Sequence, residues 1–276
     1  MSIIESIIYG FVSGLAEFLP VSSRAHQVLL RYIFGVDSRN FVQEFLVHIG
    51  VLLSVIIGCR EILGRLWREQ GIASSVRHRR KRKLDTTGYY ELRLLKTSII
   101  PLIIGLFLLV VTIESEDRLL SVIALLIINA FVLLLAEHTQ HGNRDARTMS
   151  GLDGIIMGIL GSLCVFPGLS RTGLISAYTT LRGADFKNVT NWAFLLGIPA
   201  MIFFIIFDVV GIVTVGAGIV SFSVFVGYIL SGIAAFCGGY FAISILLIIL
   251  NHAGFSCFYY YSLGIALITF ILYLIT

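Results

Sequence analysis

The chain reads as an all-α polytopic membrane protein built as an inverted repeat, each half a re-entrant helical hairpin followed by three transmembrane helices. Three observations predict this. Of its 276 residues 57% are hydrophobic and 13% charged, with a mean hydropathy of +0.95, against about 25% charged in an ordinary soluble domain. The apolar residues fall in runs of span or half-span length. A shift of 147 residues lays Gly14 on Gly161, Pro20 on Pro167, Ser23 on Ser170, Arg24 on Arg171 and Gly50 on Gly197. The whole chain, 1–276, forms one membrane domain, with repeat halves 1–137 and 150–276.

Residues 2–16 are apolar but too short for a span of about 20 residues. Glu17 and Pro20 end the run, and residues 24–35 form a second short segment. Such a pair dips into the bilayer and returns, which backbone tolerates only beside protein or a wet cavity. No separate cleavable signal peptide is evident, since the first run holds Glu5 and the polar loop. Residues 41–59 make the first full span. Residues 60–96 are a long polar loop containing the run Arg77–Lys83. Residues 97–114 and 119–137 are spans joined by the acidic turn 114–117, and 138–150 is a polar linker.

The pattern recurs with short segments at 151–166 and 171–182, interrupted at Pro167-Gly168, then spans at about 188–212, 222–250 and 254–275. Gly238-Gly239 is a candidate bend or break in the long 222–250 run. Three spans per half is an odd number, so the halves have opposite orientations. Eleven of the twenty Lys and Arg residues lie between Arg60 and Lys96, which places that loop in the cytoplasm and both termini outside. The first polar loop then opens from outside and the second from inside. The basic run serves topology, and no nucleic-acid partner is expected. The four cysteines, Cys59, Cys164, Cys237 and Cys257, lack metal-like spacing and read as small buried side chains.

Two polar loops inside apolar surroundings are expensive, and their colocation points to one site. The first runs from Gly14 through Glu17, Pro20, Ser22, Ser23 and Arg24 to His26; the second runs Pro167-Gly168-Leu169-Ser170-Arg171-Thr172-Gly173. Glu17 is a metal ligand or acid/base group. His26 is a proton relay, and Ser23 a nucleophile if that base reaches it. Ser22 caps the following helix or contacts substrate. Gly168 lets backbone approach a ligand, and Ser170, Arg171 and Thr172 open a helix suited to phosphate oxygens, with Arg24 as a second clamp. Carboxylate, hydroxyl, imidazole and guanidinium together suit phosphoryl transfer, and embedding in lipid makes the substrate a lipid. His48, Asn129, Asp153, Asn191 and Asp208 read as helix-packing groups, with His48 and Asn191 nearest the repeat-related glycines.

These two motifs resemble those of the undecaprenyl-pyrophosphate phosphatase, or bacitracin-resistance, family across essentially the whole chain. The resemblance implies removal of one phosphate from a polyprenyl pyrophosphate lipid with a divalent cation, Mg or Ca, in the bacterial plasma membrane, as part of recycling the lipid carrier of cell-wall synthesis. A homodimer is implied as well. It assigns catalysis to Glu17, Ser23, His26 and Arg171, with Glu17 as metal ligand. The first acid of the family's Glu/Gln-x-x-x-Glu pattern falls on Ser13, which offers a hydroxyl but no charge. Arg24-Ala25 stands where the family has Ser/Thr-Gly. Both changes raise the positive charge, favouring pyrophosphate binding and weakening metal retention. The alternative is a lipid transporter or flippase of the same fold, moving polyprenyl phosphate without hydrolysis.

Overall fold

The computed structural model describes residues 1–36, 38–74, 86–108, 118–139, 142–216 and 221–275. Twelve α-helices occupy them: α1 Ile3–Phe18, α2 Ser23–Ile33, α3 Phe41–Gly58, α4 Arg60–Ser74, α5 Thr86–Leu106, α6 Leu119–Glu137, α7 Gly151–Ser162, α8 Arg171–Leu181, α9 Phe186–Leu195, α10 Gly197–Val215, α11 Phe222–Ala253 and α12 Ser256–Ile275. A 3-10 turn, Leu163–Val165, follows α7. The protein is an all-α, multi-pass membrane protein. Among the described residues, five segments are long and apolar enough to cross: Phe41–Gly58, Leu119–Glu137, Phe186–Val215, Phe222–Ala253 and Ser256–Ile275. The span expected at 97–114 coincides in part with α5, and residues 109–117 lie outside the described ones.

Local chemistry sets the helix starts. Ser2 with Glu5, and Ser150 with Asp153, form reciprocal capping boxes at α1 and α7. Asn40, Ser170, Asp185 and Ser221 each accept a hydrogen bond from the third backbone N–H beyond them, starting α3, α8, α9 and α11. Asp153 also accepts from Tyr178 Oη (2.7 Å) and Arg182 Nε (2.8 Å), so it stitches α7 to α8 as packing glue.

Two expectations are corrected. The polar segment 60–96 is helical at both ends, as α4 and the start of α5, because its charges are spread along helices instead of ending them; the basic run at 77–83 lies outside the described residues. Gly238-Gly239 does not split the long run, since α11 is one continuous helix of 32 residues. The glycines are there for contact. α11 packs along α1 and α3, and a β-carbon on Gly238 would sit 2.3 Å from the Phe11 carbonyl oxygen. On the facing helix, a β-carbon on Gly14 would sit 2.0 Å from the Ala235 carbonyl oxygen. Backbones this close gain dispersion contacts that no larger residue permits, which is how helices associate without a hydrophobic drive in lipid. Gly14→Val is expected to lower stability by about 2–4 kcal/mol through forced separation of α1 and α11, read as a drop in detergent melting temperature; an unchanged melting temperature would show that the helices are not held at this spacing.

α1 packs on α2, α3 on α10, α5 on α7 and α6 on α12, while α8 contacts α6, α7, α9 and the end of α1. This brings the breaks after α1 and α7 together in the middle of the bundle.

Candidate active site

The two breaks are laced to each other by hydrogen bonds across some 150 residues of chain. Gly168 N donates to Ser22 Oγ (3.0 Å), Ser170 Oγ to Leu19 O (3.2 Å), Thr172 Oγ1 to Glu17 O (2.9 Å) and Arg24 Nη1 to Val165 O (2.9 Å). Asn129 of α6, fully buried, joins both loops. Its Nδ2 donates to Pro20 O (3.1 Å) and Ser262 Oγ (3.3 Å), and its Oδ1 accepts from Ser170 N (3.0 Å). Ser22 holds φ at 66°, a left-handed conformation that turns the chain sharply into α2. Gly168 holds φ at 124°, and a β-carbon there would strike Leu125 of α6 at 2.5 Å. Only glycine lets the second loop lie against α6 in this way.

A polar cavity opens where the loops meet, lined among others by Glu17, Ser23, Arg24, Gln27, Arg39, His48, Ser170 and Arg171. Arg171 is 2% exposed. Its Nη2 and Nε donate to Glu17 Oε1 (3.1 and 3.3 Å), and its Nη1 donates to Ala193 O (2.6 Å). Gly197 makes room for it, since a β-carbon there would lie 2.8 Å from Nη2. The repeat-related arginines thus face one space: Arg24 from α2 and Arg171 from α8. Arg39 is a third guanidinium at the same wall, bonded to Asp208 Oδ1 at 2.8 Å. Three guanidinium groups and the Glu17 carboxylate thus border one cavity, with Asp208 bonded to Arg39 and Glu17 to Arg171. In a space walled by apolar helices, planar guanidinium forks suit the oxygens of an anion.

The expected site residues divide. Glu17, Ser23, Arg24, Ser170 and Arg171 line the cavity. Ser13, Ser22, Gly168 and Thr172 do not; they build its frame. Ser13 is buried, its carbonyl accepts from Ser23 Oγ (3.1 Å), and its own hydroxyl has no partner among the described residues. Ser170 is both a cavity wall and the cap of α8, accepting from Gly173 N (3.1 Å). His26 is not brought to the cavity. Its Nδ1 donates to Ser22 O (2.8 Å), and its Nε2 accepts from the Tyr261 hydroxyl (2.8 Å). It lines a separate apolar cavity with Val12, Leu15, Leu19, Phe258 and Tyr261. The reason is helical phase: two residues beyond Arg24 is about 200° around α2. Ser23 Oγ bonds the Ser13 carbonyl and both His26 nitrogens are engaged elsewhere, so the Ser23–His26 hydrogen bond that the sequence suggests is not formed.

Gln27, Arg39 and Phe204 line the cavity and escaped the sequence reading. Gln27 was detectable as the residue one turn after Arg24, and Arg39 as a charge immediately before the Asn40 cap of α3. Two of the packing candidates also belong here: His48 lines the cavity, and its Nδ1 donates to Asp208 Oδ2 at 2.6 Å. Of the cysteines, Cys59 and Cys164 are buried as expected, whereas Cys237 and Cys257 are exposed, Cys257 at the apolar cavity beside His26.

As for a metal, no cluster of three or more His, Cys, Asp or Glu side chains that could hold an ion occurs among the described residues. Glu17 is the carboxylate at the cavity wall, and one of its oxygens is engaged by Arg171. This donor set suits a hard cation only if substrate oxygens and water supply most of the ligands, as Mg²⁺ commonly accepts.

Comparison with known proteins agrees with the geometry. The chain is 30% identical over 262 residues to an undecaprenyl-diphosphatase of Carboxydothermus hydrogenoformans, covering 95% of this chain and 94% of that one. It is 30% identical over 278 residues to an undecaprenyl-diphosphatase of Methanobrevibacter smithii, covering 98% and 97%. An undecaprenyl-diphosphatase of Treponema denticola is 28% identical over 274 residues, covering 97% and 96%. The family model described as bacitracin resistance protein BacA matches residues 6–268, a range that takes in both laced loops and every helix contributing to the cavity, and the chain belongs to that family.

Proposed function

We propose that this protein is a membrane phosphatase that hydrolyses undecaprenyl pyrophosphate to the monophosphate, returning the lipid carrier to cell-wall synthesis. The observation that carries this is the convergence of Arg24, Arg39, Arg171 and Glu17 on one cavity inside an apolar bundle. The names of the relatives point the same way. Arg171 and Arg24 grip the phosphates. Their planar forks match phosphate oxygens, and their charge opposes the negative charge spreading over the transferring group. Glu17 orients the attacking water and would be the protein's ligand to a divalent cation. Such a cation, when bound, neutralises charge on the phosphate oxygens. Water, not Ser23, attacks, because His26 has given both ring nitrogens to Ser22 and Tyr261. The apolar cavity beside His26 shares Ala16 with the polar one and suits the first isoprene units of the chain.

The setting is the bacterial plasma membrane, with residues 60–96 on the cytoplasmic side, the two halves inverted and the protein paired as a homodimer. Phosphate release from undecaprenyl pyrophosphate by the purified full chain, with and without Mg²⁺ or Ca²⁺, tests the reading. Glu17→Gln keeps the shape of the side chain but removes its charge, and is expected to lower kcat by about 100-fold or more. Wild-type protein that binds the lipid and moves it across vesicles without releasing phosphate would replace hydrolysis by transport.

A further inference from the structure

The cavity has an imidazole, but it is not the one nearest the loop motif. His48 sits on α3, buried, and lines the cavity that Arg24, Arg39 and Arg171 also line. Its Nδ1 donates to Asp208 Oδ2 (2.6 Å), and Asp208, fully buried on α10, accepts from Arg39 at its other oxygen (2.8 Å). The ring stacks on Phe204, with centroids 5.2 Å apart and planes 19° from parallel. The Arg24 guanidinium lies over the same Phe204 ring at 5.7 Å. The imidazole plane, its tautomer and the phosphate-gripping arginine are thus fixed by one set of contacts. With the Nδ1 proton held by Asp208, Nε2 keeps its lone pair and is the nitrogen left to meet a molecule in the cavity.

We propose that His48 is the proton acceptor of this site, with Asp208 as its positioning residue. The inference rests on the hydrolase reading above. The oxygen of a water molecule bonds to the terminal phosphorus. The bond from that phosphorus to the bridging oxygen breaks, and its electron pair leaves with the polyprenyl monophosphate. The proton of the water passes to His48 Nε2 and returns to solvent after orthophosphate departs. This is the arrangement by which a carboxylate orients an imidazole and stabilises its protonated form. It gives the cavity a base that His26 does not supply. Packing alone accounts for the bond between α3 and α10, but not for a ring that borders the polar cavity beside Arg24.

Among the described residues, the charged and titratable groups around His48 are Asp208 and Arg39, then Glu17, Arg24, Arg171 and Cys164 lining the same cavity, and Glu44 one turn earlier on α3. The acid side of the pH profile therefore needs variants to assign it. The full chain in detergent is assayed for phosphate release from undecaprenyl pyrophosphate as a function of pH, from neutral to the most acid pH at which it stays folded. Wild-type kcat falls toward low pH, because imidazolium cannot accept a proton. His48→Gln lowers kcat by about 100-fold with a small change in KM, and the acid-side fall disappears. Asp208→Asn, which permits the wrong tautomer, lowers kcat by about 10–100-fold. The double variant is no worse than His48→Gln alone. A wild type that releases no phosphate overturns the functional reading and this inference with it. A hydrolysing wild type whose His48→Gln variant keeps both kcat and the acid-side fall overturns this inference alone. Should His48→Gln not yield folded protein, Asp208→Asn decides: an unchanged kcat and profile overturn the inference, and a lowered kcat with an altered profile supports it.

Discussion

Replacing Arg171 with alanine lowers kcat/KM for phosphate release from undecaprenyl pyrophosphate by about 1,000-fold or more. Loss of a single preorganised donor to transferring oxygens commonly costs 100–1,000-fold, and an arginine supplied to a phosphoryl group is worth about 1,000-fold to 100,000-fold. The upper part of that range applies because Arg171 is 2% exposed, so water cannot take over its role. The substitution also leaves Glu17 without its partner at 3.1 Å, adding an uncompensated negative charge where the substrate's own charge must sit. Arg171→Lys restores the charge but not the fork that spans Glu17 and Ala193, and recovers only part of the loss. Steady-state kinetics on the purified variants decide the matter; an alanine variant within about tenfold of wild type removes Arg171 from the chemistry.

Asn129→Ala lowers stability by about 2–4 kcal/mol, because it leaves Pro20 O and Ser170 N without their partner in a buried site at about 1–3 kcal/mol each. A side chain that merely bridges two membrane helices contributes less, about 0.6 kcal/mol on average. The difference arises because these partners are backbone groups of two broken helices, which cannot re-form helical bonds. For a chain of this size, the detergent melting temperature falls by about 5–15 °C. Activity falls with it, since Asn129 sets the distance between the loops. A melting temperature within about 2 °C of wild type would show that the other cross-loop bonds suffice.

Much of this was legible in the sequence. Apolar runs located most helices within a few residues, since lipid enforces helix and length together. The shift that superposes Arg24 on Arg171 identified two guanidinium groups that do share a cavity. What stayed hidden has a common cause: the sequence carries proximity along the chain but not side-chain direction. His26 looks like a partner of Ser23, yet it points to Tyr261, while His48, some twenty residues further on, lines the cavity. Asp208 reads as an isolated charge until α3 and α10 are packed and it meets both Arg39 and His48. Gly238 reads as a helix breaker because its cost of about 1 kcal/mol is visible in sequence, whereas the facing backbone that offsets it is not.

Thirty-two residues of α11 extend about 48 Å, against about 30 Å of hydrocarbon in a typical bilayer. Leaning alone would need about 50°, beyond the usual span of tilts to about 40°, so at least one end stands among lipid headgroups. This helix is the mast to which α1 is lashed at Gly14 and Gly238, and α1 ends at the Glu17 loop. A thinner or thicker membrane that changes the slant of the mast will swing that loop with it.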